Sequence, residues 1–375
     1  MTERPVQTVA TAPVVRERRR AHRRRERTAV LRGLSTGGPR HEVTQAQVKV
    51  AATSEFGVHR SDSLLDVFDN AQIDTRRFAQ PVEWYLQPRS FAEKNAVYVT
   101  QALDLAERLA REALQDAGIE AADVDAVVFV SSTGISTPSL DAALIQRMGI
   151  DLGAIRVPLW GLGCSGGAGG LARAADLVRA GYEHVLLVAV EFCSLTFVLG
   201  DESKSNFIGT ALFGDGGAAA VLSAHGAGPD GGGLMRVLHT HSALLPDTAD
   251  MTGWDVVEDG FKLRLSKEIP ALMAGRLRGI VDESLAVAGW SIGDVGTVVI
   301  HPGGAKVIEG YQAALELDEH ALDTTRSVLR SWGNMSSPTV LFVLAEALRA
   351  KPQGRGLISA SGPGFSVEHL LVEFP

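Results

Sequence analysis

The alternation of apolar and polar positions predicts helices and strands in turn along most of the chain. Apolar residues recur at helical spacing from Ala96 to Ala117, and Gly118 ends the pattern. A β-branched run from Val124 to Val130 follows, which is typical of a buried strand. Such alternation favours an α/β fold in which helices cover the sheets on both faces.

Shorter elements precede this long helix. We expect a first strand from Thr28 to Leu34 and helices from Thr44 to Phe56 and from Arg60 to Asn70. Residues 1–27 hold a dense run of arginines with almost no apolar residue, and we leave them out of the fold. This extension is either a solvated tail or a basic arm that contacts an acidic partner. It lacks the apolar segment of a secretory signal.

The chain contains an internal repeat at a single offset. Val130, at the end of the predicted strand, falls on His301 when the sequence is shifted by 171 positions. At the same offset Gly163 falls on Asn334, and the strands that follow also match. One unbroken offset over several elements indicates two halves with the same helix–strand–turn–helix–strand plan.

We therefore expect two halves related by a pseudo-twofold axis, covering residues 28–225 and 226–375. In open α/β sheets, reactive groups collect in turns at the carboxyl ends of strands. The repeat puts Cys164 at such an end in the first half and His301 and Asn334 in the second. The symmetry predicts that all three meet in one cleft between the halves.

Cys164 follows an apolar strand and the turn Gly161 to Gly163, and we expect it at the first position of a helix. A thiol there lies at the positive end of the helix dipole, which favours the thiolate and lowers the pKa. The alternative is a buried structural cysteine in a contact between glycine-rich helices.

His301 ends an apolar strand before Pro302-Gly303-Gly304, and Asn334 begins a helix in a Gly-Asn-Met-Ser-Ser-Pro segment. Taken alone, the histidine also suits a structural role and the asparagine an ordinary helix cap. Together with a cysteine they suit thioester chemistry, because the thiolate attacks the acyl carbon and both side chains donate to the developing oxyanion. A Cys–His–Asn hydrolase is the competing use.

Composition narrows the function classes. The chain has 375 residues, 45% of them apolar and 21% charged, which is typical of a globular protein. A net charge of −8 argues against nucleic acid as a partner. Two cysteines, Cys164 and Cys193, cannot form a disulfide framework, so we expect a reducing, cytoplasmic setting. No apolar run reaches the roughly 18 residues of a membrane span, and zinc-ligand spacing is absent from the sequence.

Five motifs resemble those of the type III polyketide synthases, the chalcone and stilbene synthase family of the thiolase superfamily. They are GLGCSGG, ALFGDGGAA, HPGG, GNMSSPT and SGPGFSVE, and the resemblance covers about Thr28 to Pro375. It implies a thiolase-like fold of duplicated αβαβα halves and a homodimer. It also implies that Cys164 carries the acyl group, while His301 and Asn334 promote decarboxylation of malonyl-CoA. Acyl-CoA and malonyl-CoA would be substrates, with no cofactor and no metal.

The resemblance also implies roles for residues around the cavity. Phe213 would be the gatekeeper between the CoA tunnel and the cavity. Leu263 takes the position of a second gatekeeping phenylalanine of plant members, although Phe261 lies two residues away. Gly362, Pro363 and Gly364 would form the cavity wall, and Cys193 and Thr196 would lie beside the cavity. Thr137 takes the position of a methionine that reaches across the dimer of plant members. Arg76 and Arg77 would be cations near the CoA entrance.

Three of these residues have a plainer alternative: Cys193 as a small buried residue, and Arg76 and Arg77 as a solvated basic turn. The segment Pro81 to Asn95 most resembles bacterial members that make alkylpyrones or alkylresorcinols from fatty acyl starters. Small residues at Thr137 and Cys193 fit a tunnel for a long acyl chain. The sequence thus predicts iterative condensation to a pyrone or resorcinol. A single-round initiating ketoacyl-ACP synthase and a non-catalytic scaffold are the rival hypotheses.

Overall fold

The computed structural model describes residues 27–56, 62–224 and 232–375. Its strands are β1 Ala29–Gly37, β2 His41–Thr44, β3 Thr75–Phe78, β4 Ala126–Val130, β5 Ile155–Leu159, β6 His184–Phe192, β7 Asp215–Ala224, β8 Met235–Leu244, β9 Thr252–Val257, β10 Gly260–Leu265, β11 Thr297–Ile300, β12 Gly354–Gly362 and β13 Ser366–Phe374. Its α-helices are α1 Gln45–Phe56, α2 Asp62–Asn70, α3 Val82–Tyr85, α4 Phe91–Ala117, α5 Leu140–Met148, α6 Gly166–Ala180, α7 Lys204–Leu212, α8 Ile269–Ala286, α9 Ala305–Leu315, α10 Asp323–Trp332 and α11 Thr339–Arg349.

Within the described residues, the main sheet has nine strands in the order β11-β12-β13-β8-β1-β7-β6-β4-β5. The first half contributes β1, β7, β6 and β4, paired antiparallel, antiparallel and parallel. The second half contributes β8, β13, β12 and β11 with the same pattern. The predicted duplication is therefore confirmed, and the β1–β8 pairing joins the two halves.

Helices and sheets pack in five layers. One face of the sheet in each half packs on a shared central core that includes α6 and α11. The opposite face of the first half packs on α4 and α5, and that of the second half packs on α8 and α9. This is the αβαβα arrangement expected for a thiolase-like fold.

The repeat breaks at one element. β5, Ile155–Leu159, alternates between half-buried and exposed positions and pairs with β4 at the edge of the main sheet, among the described strands. Its counterpart at the same offset lies inside α10, where Thr325, Val328 and Leu329 are buried at helical spacing. The helical period of that segment overrides the strand plan of the repeat.

Several boundaries differ from the sequence expectation. α4 begins at Phe91 rather than Ala96, because Ser90 and Glu93 form a reciprocal capping box that stabilises the earlier start. α6 begins at Gly166, two residues after Cys164, which we expect at the first helical position. β1 extends to Gly37. The predicted start of a helix at Arg60, the boundary at 225/226 and nearly all of the arginine-rich extension lie outside the described residues.

Candidate active site

Cys164 lies in a single turn of 3-10 helix, Gly163–Ser165, directly before α6. We call residues 161–165 the Cys164 turn. Its backbone needs glycine at two positions, because Gly161 and Gly163 have φ of 89° and 49°. Their N–H groups donate to the Ser132 hydroxyl at 3.2 and 3.3 Å. Ser132, which follows strand β4 of the same half, therefore holds the Cys164 turn in place.

The glycines of α6 allow the two halves to approach closely. A Cβ atom at Gly167 would lie 2.1 Å from the carbonyl oxygen of Ser337. Glycine inside a helix costs up to about 1 kcal/mol relative to alanine, but here no larger residue fits. The contact brings the start of α6 against the segment that carries Asn334.

Asn334 is held by its backbone and by its side chain. Its N–H donates to Leu212 O at 2.9 Å, and its Oδ1 accepts from the N–H of Ser336 at 2.8 Å. Its Nδ2 donates to Gly303 O at 3.2 Å, which ties it to the loop after His301. The thiol sulfur of Cys164 lies 3.9 Å from Oδ1 and 4.0 Å from Nδ2. We call residues 333–337 the Asn334 turn.

His301 follows β11, and its backbone N–H donates to Ser359 O at 2.9 Å. The residue is 2% exposed. Neither ring nitrogen has a hydrogen-bond partner among the described residues. Burial lowers the pKa of His301 to about 3, so the imidazole is neutral at physiological pH and can accept a proton.

The acidity of the Cys164 thiol differs from the sequence expectation. Burial raises its pKa to about 11, and hydrogen bonds with Ser336 and Asn334 offset only part of this. We had predicted a lowered pKa from the helix dipole alone. That expectation was wrong, because desolvation of the thiolate outweighs the effect of the helix dipole. The neutral ring of His301 supplies no positive charge that would lower the pKa of the thiol.

Glu191 connects both turns and was missed by the sequence analysis. One carboxylate oxygen accepts from the Ser132 N–H at 2.9 Å and the Thr133 hydroxyl at 2.7 Å. The other accepts from the Ser337 hydroxyl at 2.8 Å. Burial raises the pKa of Glu191 to about 7. A carboxylate within the apolar strand β6 was the available signal, because such residues are rarely buried without partners.

Phe213 and Leu263 both border Gly209 on α7. A Cβ atom at Gly209 would lie 2.9 Å from the side chain of Leu263 and 3.4 Å from that of Phe213. The backbone of Phe213 also bridges to Asn334. Trp254 pairs with Leu263 in the β9–β10 hairpin, and its ring centroid lies 6.1 Å from that of Phe213. Trp254, which we had not singled out, joins the two predicted gate positions.

Phe261, the other candidate for the second gate, is buried behind the hairpin. It is 1% exposed and its ring packs on those of Phe91, Trp160 and Trp254. Leu263 rather than Phe261 therefore faces Phe213 across Gly209.

The predicted wall residues reach the Cys164 turn. The Pro363 ring would lie 2.8 Å from a Cβ atom at Gly163, and a Cβ atom at Gly362 would lie 2.5 Å from Leu162 O. Gly364 is the last residue of this wall loop and has φ of 122°. The loop after β12 therefore closes over the Cys164 turn.

Cys193 and Thr196 lie in a 3-10 turn after β6, and the Thr196 hydroxyl donates to Cys193 O at 2.7 Å. Cys193 is fully buried, and burial raises its pKa well above the ordinary value. A negative charge on Cys164 would raise the pKa of Cys193 further. Thr137 is different, because it lies exposed in the loop before α5.

The two arginines correct the expectation of a cationic CoA entrance. Arg76 is fully buried, and its Nη1 donates to Thr210 O at 3.0 Å and Phe213 O at 2.9 Å. Burial lowers its pKa to about 9. Arg77 pairs with Glu42 at 2.5 Å and lies over the Trp332 ring. Arg76 therefore holds the backbone of Phe213, and both guanidinium groups are engaged by the protein itself.

Across 27–56, 62–224 and 232–375, no group of three or more His, Cys, Asp or Glu side chains is arranged to hold a metal ion. Among the helices of that part of the chain, none combines the length and apolar character needed to cross a membrane.

Comparison with known proteins identifies the family. The model of the N-terminal domain of chalcone and stilbene synthases matches residues 82–229, and that of the C-terminal domain matches residues 236–374. A putative chalcone synthase of Bacillus subtilis is 40% identical over 92% of this chain and 98% of its own length. The 1,3,6,8-tetrahydroxynaphthalene synthase of Streptomyces peucetius is 39% identical over 92% of this chain and 95% of its own.

A solved structure agrees with these matches. The crystal structure of 1,3,6,8-tetrahydroxynaphthalene synthase from Streptomyces coelicolor, a bacterial type III polyketide synthase, superposes with a TM-score of 0.87. It is 33% identical and covers 92% of this chain and 99% of its own. With the duplicated fold and the Cys–His–Asn cluster described above, the chain belongs to the chalcone and stilbene synthase family, the type III polyketide synthases.

Proposed function

We propose that the protein condenses malonyl-CoA units iteratively onto an acyl group carried by Cys164. The approach of the Cys164 sulfur to within 4.0 Å of the Asn334 amide is the observation that carries the proposal. It supports a site in which an acyl carbonyl on the sulfur and the amide donor are neighbours. The buried His301, with both ring nitrogens unpartnered in the described chain, supplies a second group for the same carbonyl.

Loading begins with transfer of the Cys164 proton to neutral His301. The thiolate and the imidazolium must form as a pair, because burial opposes either charge alone: it raises the pKa of the Cys164 thiol to about 11 and lowers that of His301 to about 3. The sulfur attacks the starter thioester carbonyl, the carbon–sulfur bond to CoA breaks, and the CoA thiolate takes the proton. An acyl thioester remains on Cys164.

Extension begins when malonyl-CoA loses carbon dioxide. The electron pair of the breaking carbon–carbon bond forms an enolate, whose oxygen accepts hydrogen bonds from His301 and Asn334. The enolate carbon attacks the acyl carbonyl on Cys164 and releases the cysteine sulfur. The lengthened chain then returns to Cys164 for the next round. The CoA esters carry their own activation, so the proposal needs no cofactor.

For the product we propose a pyrone or resorcinol built on an acyl-CoA starter. Small residues at Cys193 and Thr196 beside the Cys164 cavity support room for the starter. A second candidate is a naphthalene made from malonyl-CoA alone. The bulk of Trp254 beside Phe213 favours it, as do the names of two relatives.

One assay separates the two products. Purified protein is incubated with malonyl-CoA alone and with acetyl-, hexanoyl- and decanoyl-CoA, and products are read by mass spectrometry. A pyrone or resorcinol that carries the starter chain supports the first candidate, whereas one product independent of the starter supports the second. Absence of carbon dioxide release and of any polyketide from every mixture would contradict the condensing function.

We also propose that the protein is a homodimer. β5 is an edge strand of the main sheet in the described chain, and Ile135 and Trp160 beside it are 44% and 54% exposed. An exposed strand edge with apolar neighbours is suited to pairing with a second copy. Light scattering at micromolar concentration should give twice the mass of one chain, and the mass of a single chain would contradict the proposal.

A further inference from the structure

A cavity of about 200 Å³ lies apart from the cysteine site. It is bounded by α1, α3, the start of α4 and α7, and its lining includes none of Cys164, His301, Asn334 and Phe213. We call it the aromatic pocket. Its apolar wall is formed chiefly by Val48, Ala52, Phe78, Val82, Phe197 and Leu199.

The walls of the aromatic pocket are rigidly packed. The Phe78 ring lies 5.4 Å from that of Tyr85 and 5.7 Å from that of Phe197, both edge to face. Trp84 packs on Tyr85 at 5.0 Å. An engineered cavity of about 150 Å³ with apolar walls binds benzene. A pocket of about 200 Å³ therefore has room for a chain of roughly six to eight carbons.

Two cationic side chains, Arg89 and Lys94, line the pocket. The Arg89 guanidinium lies 5.1 Å over the Trp84 ring, and its Nε is buried with no partner among the described residues. Lys94 Nζ donates to Phe197 O at 2.7 Å and to Asp259 O at 3.2 Å. The acidic groups nearby are Asp259, which lines the pocket, and Glu93, whose carboxylate is 3.5 Å from Arg89 but also accepts from the Ser90 cap. The contact of Glu93 with Arg89 is made to Nη1.

The pocket lies next to the 3-10 turn that holds Cys193 and Thr196. Phe197, which lines the pocket, directly follows Thr196 in the chain, and the Tyr85 hydroxyl hydrogen-bonds to the Ser194 hydroxyl at 2.6 Å. Lys94 joins Phe197 to the β9–β10 hairpin through Asp259 O.

We propose that the aromatic pocket binds a medium-chain carboxylate, with the alkyl chain between the aromatic walls and the carboxylate against Arg89 and Lys94. A carboxylate accepts from guanidinium and ammonium groups at once, and both Arg89 and Lys94 line the pocket. The chain length follows from the volume. The site is independent of acyl transfer at Cys164.

Calorimetric titration with octanoate tests the proposal, with octan-1-ol as the neutral probe of equal length. Octanoate should bind one site per chain. Octanol should bind at least tenfold more weakly, because it lacks the charge. From butanoate to octanoate the affinity should rise about fourfold per methylene group, and dodecanoate should show no further gain.

Four variants locate the binding site. Arg89→Gln should weaken octanoate binding at least tenfold and leave octanol binding unchanged. The matched control Arg108→Gln, on the exposed face of α4, should change neither. Ala51→Phe should abolish both by filling the pocket, with thermal unfolding used to verify that this variant is folded. Cys164→Ala should bind octanoate like the wild type.

Some outcomes would overturn the proposal. Absence of octanoate binding at millimolar concentration would do so, as would equal affinity for octanol. Loss of binding in Cys164→Ala would assign the ligand to the cysteine site instead. Binding that survives both Arg89→Gln and a folded Ala51→Phe would exclude the aromatic pocket. If Ala51→Phe does not fold, the Arg89→Gln and Arg108→Gln pair decides the question.

Discussion

The Cys164 turn and the Asn334 turn occupy corresponding places in the two halves, yet they are built differently. The first follows strand β5 and depends on glycines with positive φ. The second follows helix α10 and is held by hydrogen bonds of Asn334 to Leu212 O and Gly303 O. A duplicated plan therefore fixes where two turns meet, while the local sequence of each turn decides which one presents a nucleophile and which one a donor.

The two turns share one anchor. Glu191 accepts hydrogen bonds from Ser132 and Thr133, which lie beside the first turn, and from Ser337 in the second. The anchor belongs to β6 of the first half, so the symmetry is broken at the point where the halves meet. Replacing Cys164 or Asn334 should therefore affect acyl loading and decarboxylation separately, whereas replacing Glu191 should impair both steps.

The largest effect is expected from Cys164→Ala. Incubation with an acyl-CoA and peptide mass mapping should find the acyl adduct on Cys164 in the wild type and none in the variant, which should also make no polyketide. Cys193→Ala is the matched control and should still load, because Cys193 is fully buried with a pKa raised well above the ordinary value. An adduct on Cys193 alone would refute the assignment.

Asn334→Ala tests the second turn by itself. Removing one oxyanion donor commonly costs about 3 kcal/mol, or roughly two decades in rate. Carbon dioxide release from malonyl-CoA should fall by that amount, while acyl loading of Cys164 stays within a few-fold of the wild type. Rapid-quench measurement of both steps checks this, and the idea fails if loading collapses while decarboxylation survives.

Glu191→Ala tests the shared anchor. The substitution leaves the Ser132 N–H and the hydroxyls of Thr133 and Ser337 without their acceptor, and each buried unpaired group costs about 1–3 kcal/mol. The free energy of unfolding in urea should fall by about 3 kcal/mol, and loading and decarboxylation should decline together. Glu346→Ala, on the surface of α11, is the control. Unchanged stability in the Glu191 variant would remove Glu191 as the anchor.

The smallest effect concerns a buried histidine outside the site. His369 on β13 stacks on His241 of β8, and burial lowers its pKa to about 3, with the charge of His241 lowering it further. A histidine whose folded pKa lies below its unfolded value of 6.5 stabilises the fold above pH 6.5. That contribution is lost as pH falls towards 3, by up to about 1.4 kcal/mol per pH unit.

His369→Leu should therefore reduce the loss of urea stability between pH 7 and pH 5. Glu191 and Asp215 act in the opposite direction, because burial raises the pKa of each to about 7 and their contribution is lost as pH rises from about 4 to 7. Both carboxyls are present in wild type and variant, so the difference between the two proteins isolates His369. The same pH slope in both would contradict the prediction.

The sequence by itself determined the elements that local patterns control. Periodicity and turn residues predict the strand before Cys164, the strand that ends at His301 and the common offset of the two halves. The structure confirms the duplicated sheet. Cys164 and His301 could be placed from sequence because each follows a strand, where the reactive side chains of α/β sheets collect. Asn334 follows helix α10 instead, so the strand-end argument was wrong for it. The start of α4 depends on the helix cap at Ser90, which the spacing of apolar residues does not reveal.

Only the tertiary structure decided how those side chains are solvated and which distant residues touch them. The pKa of the Cys164 thiol is set by burial beneath the loop after β12, which is about two hundred positions away in the sequence. Arg76 lies inside the protein and holds Phe213, although its sequence suggested a solvent-facing cation. Trp254 reaches Phe213 only through the hairpin register. Burial and contact are properties of packing between segments far apart in the chain, and local sequence patterns do not carry them.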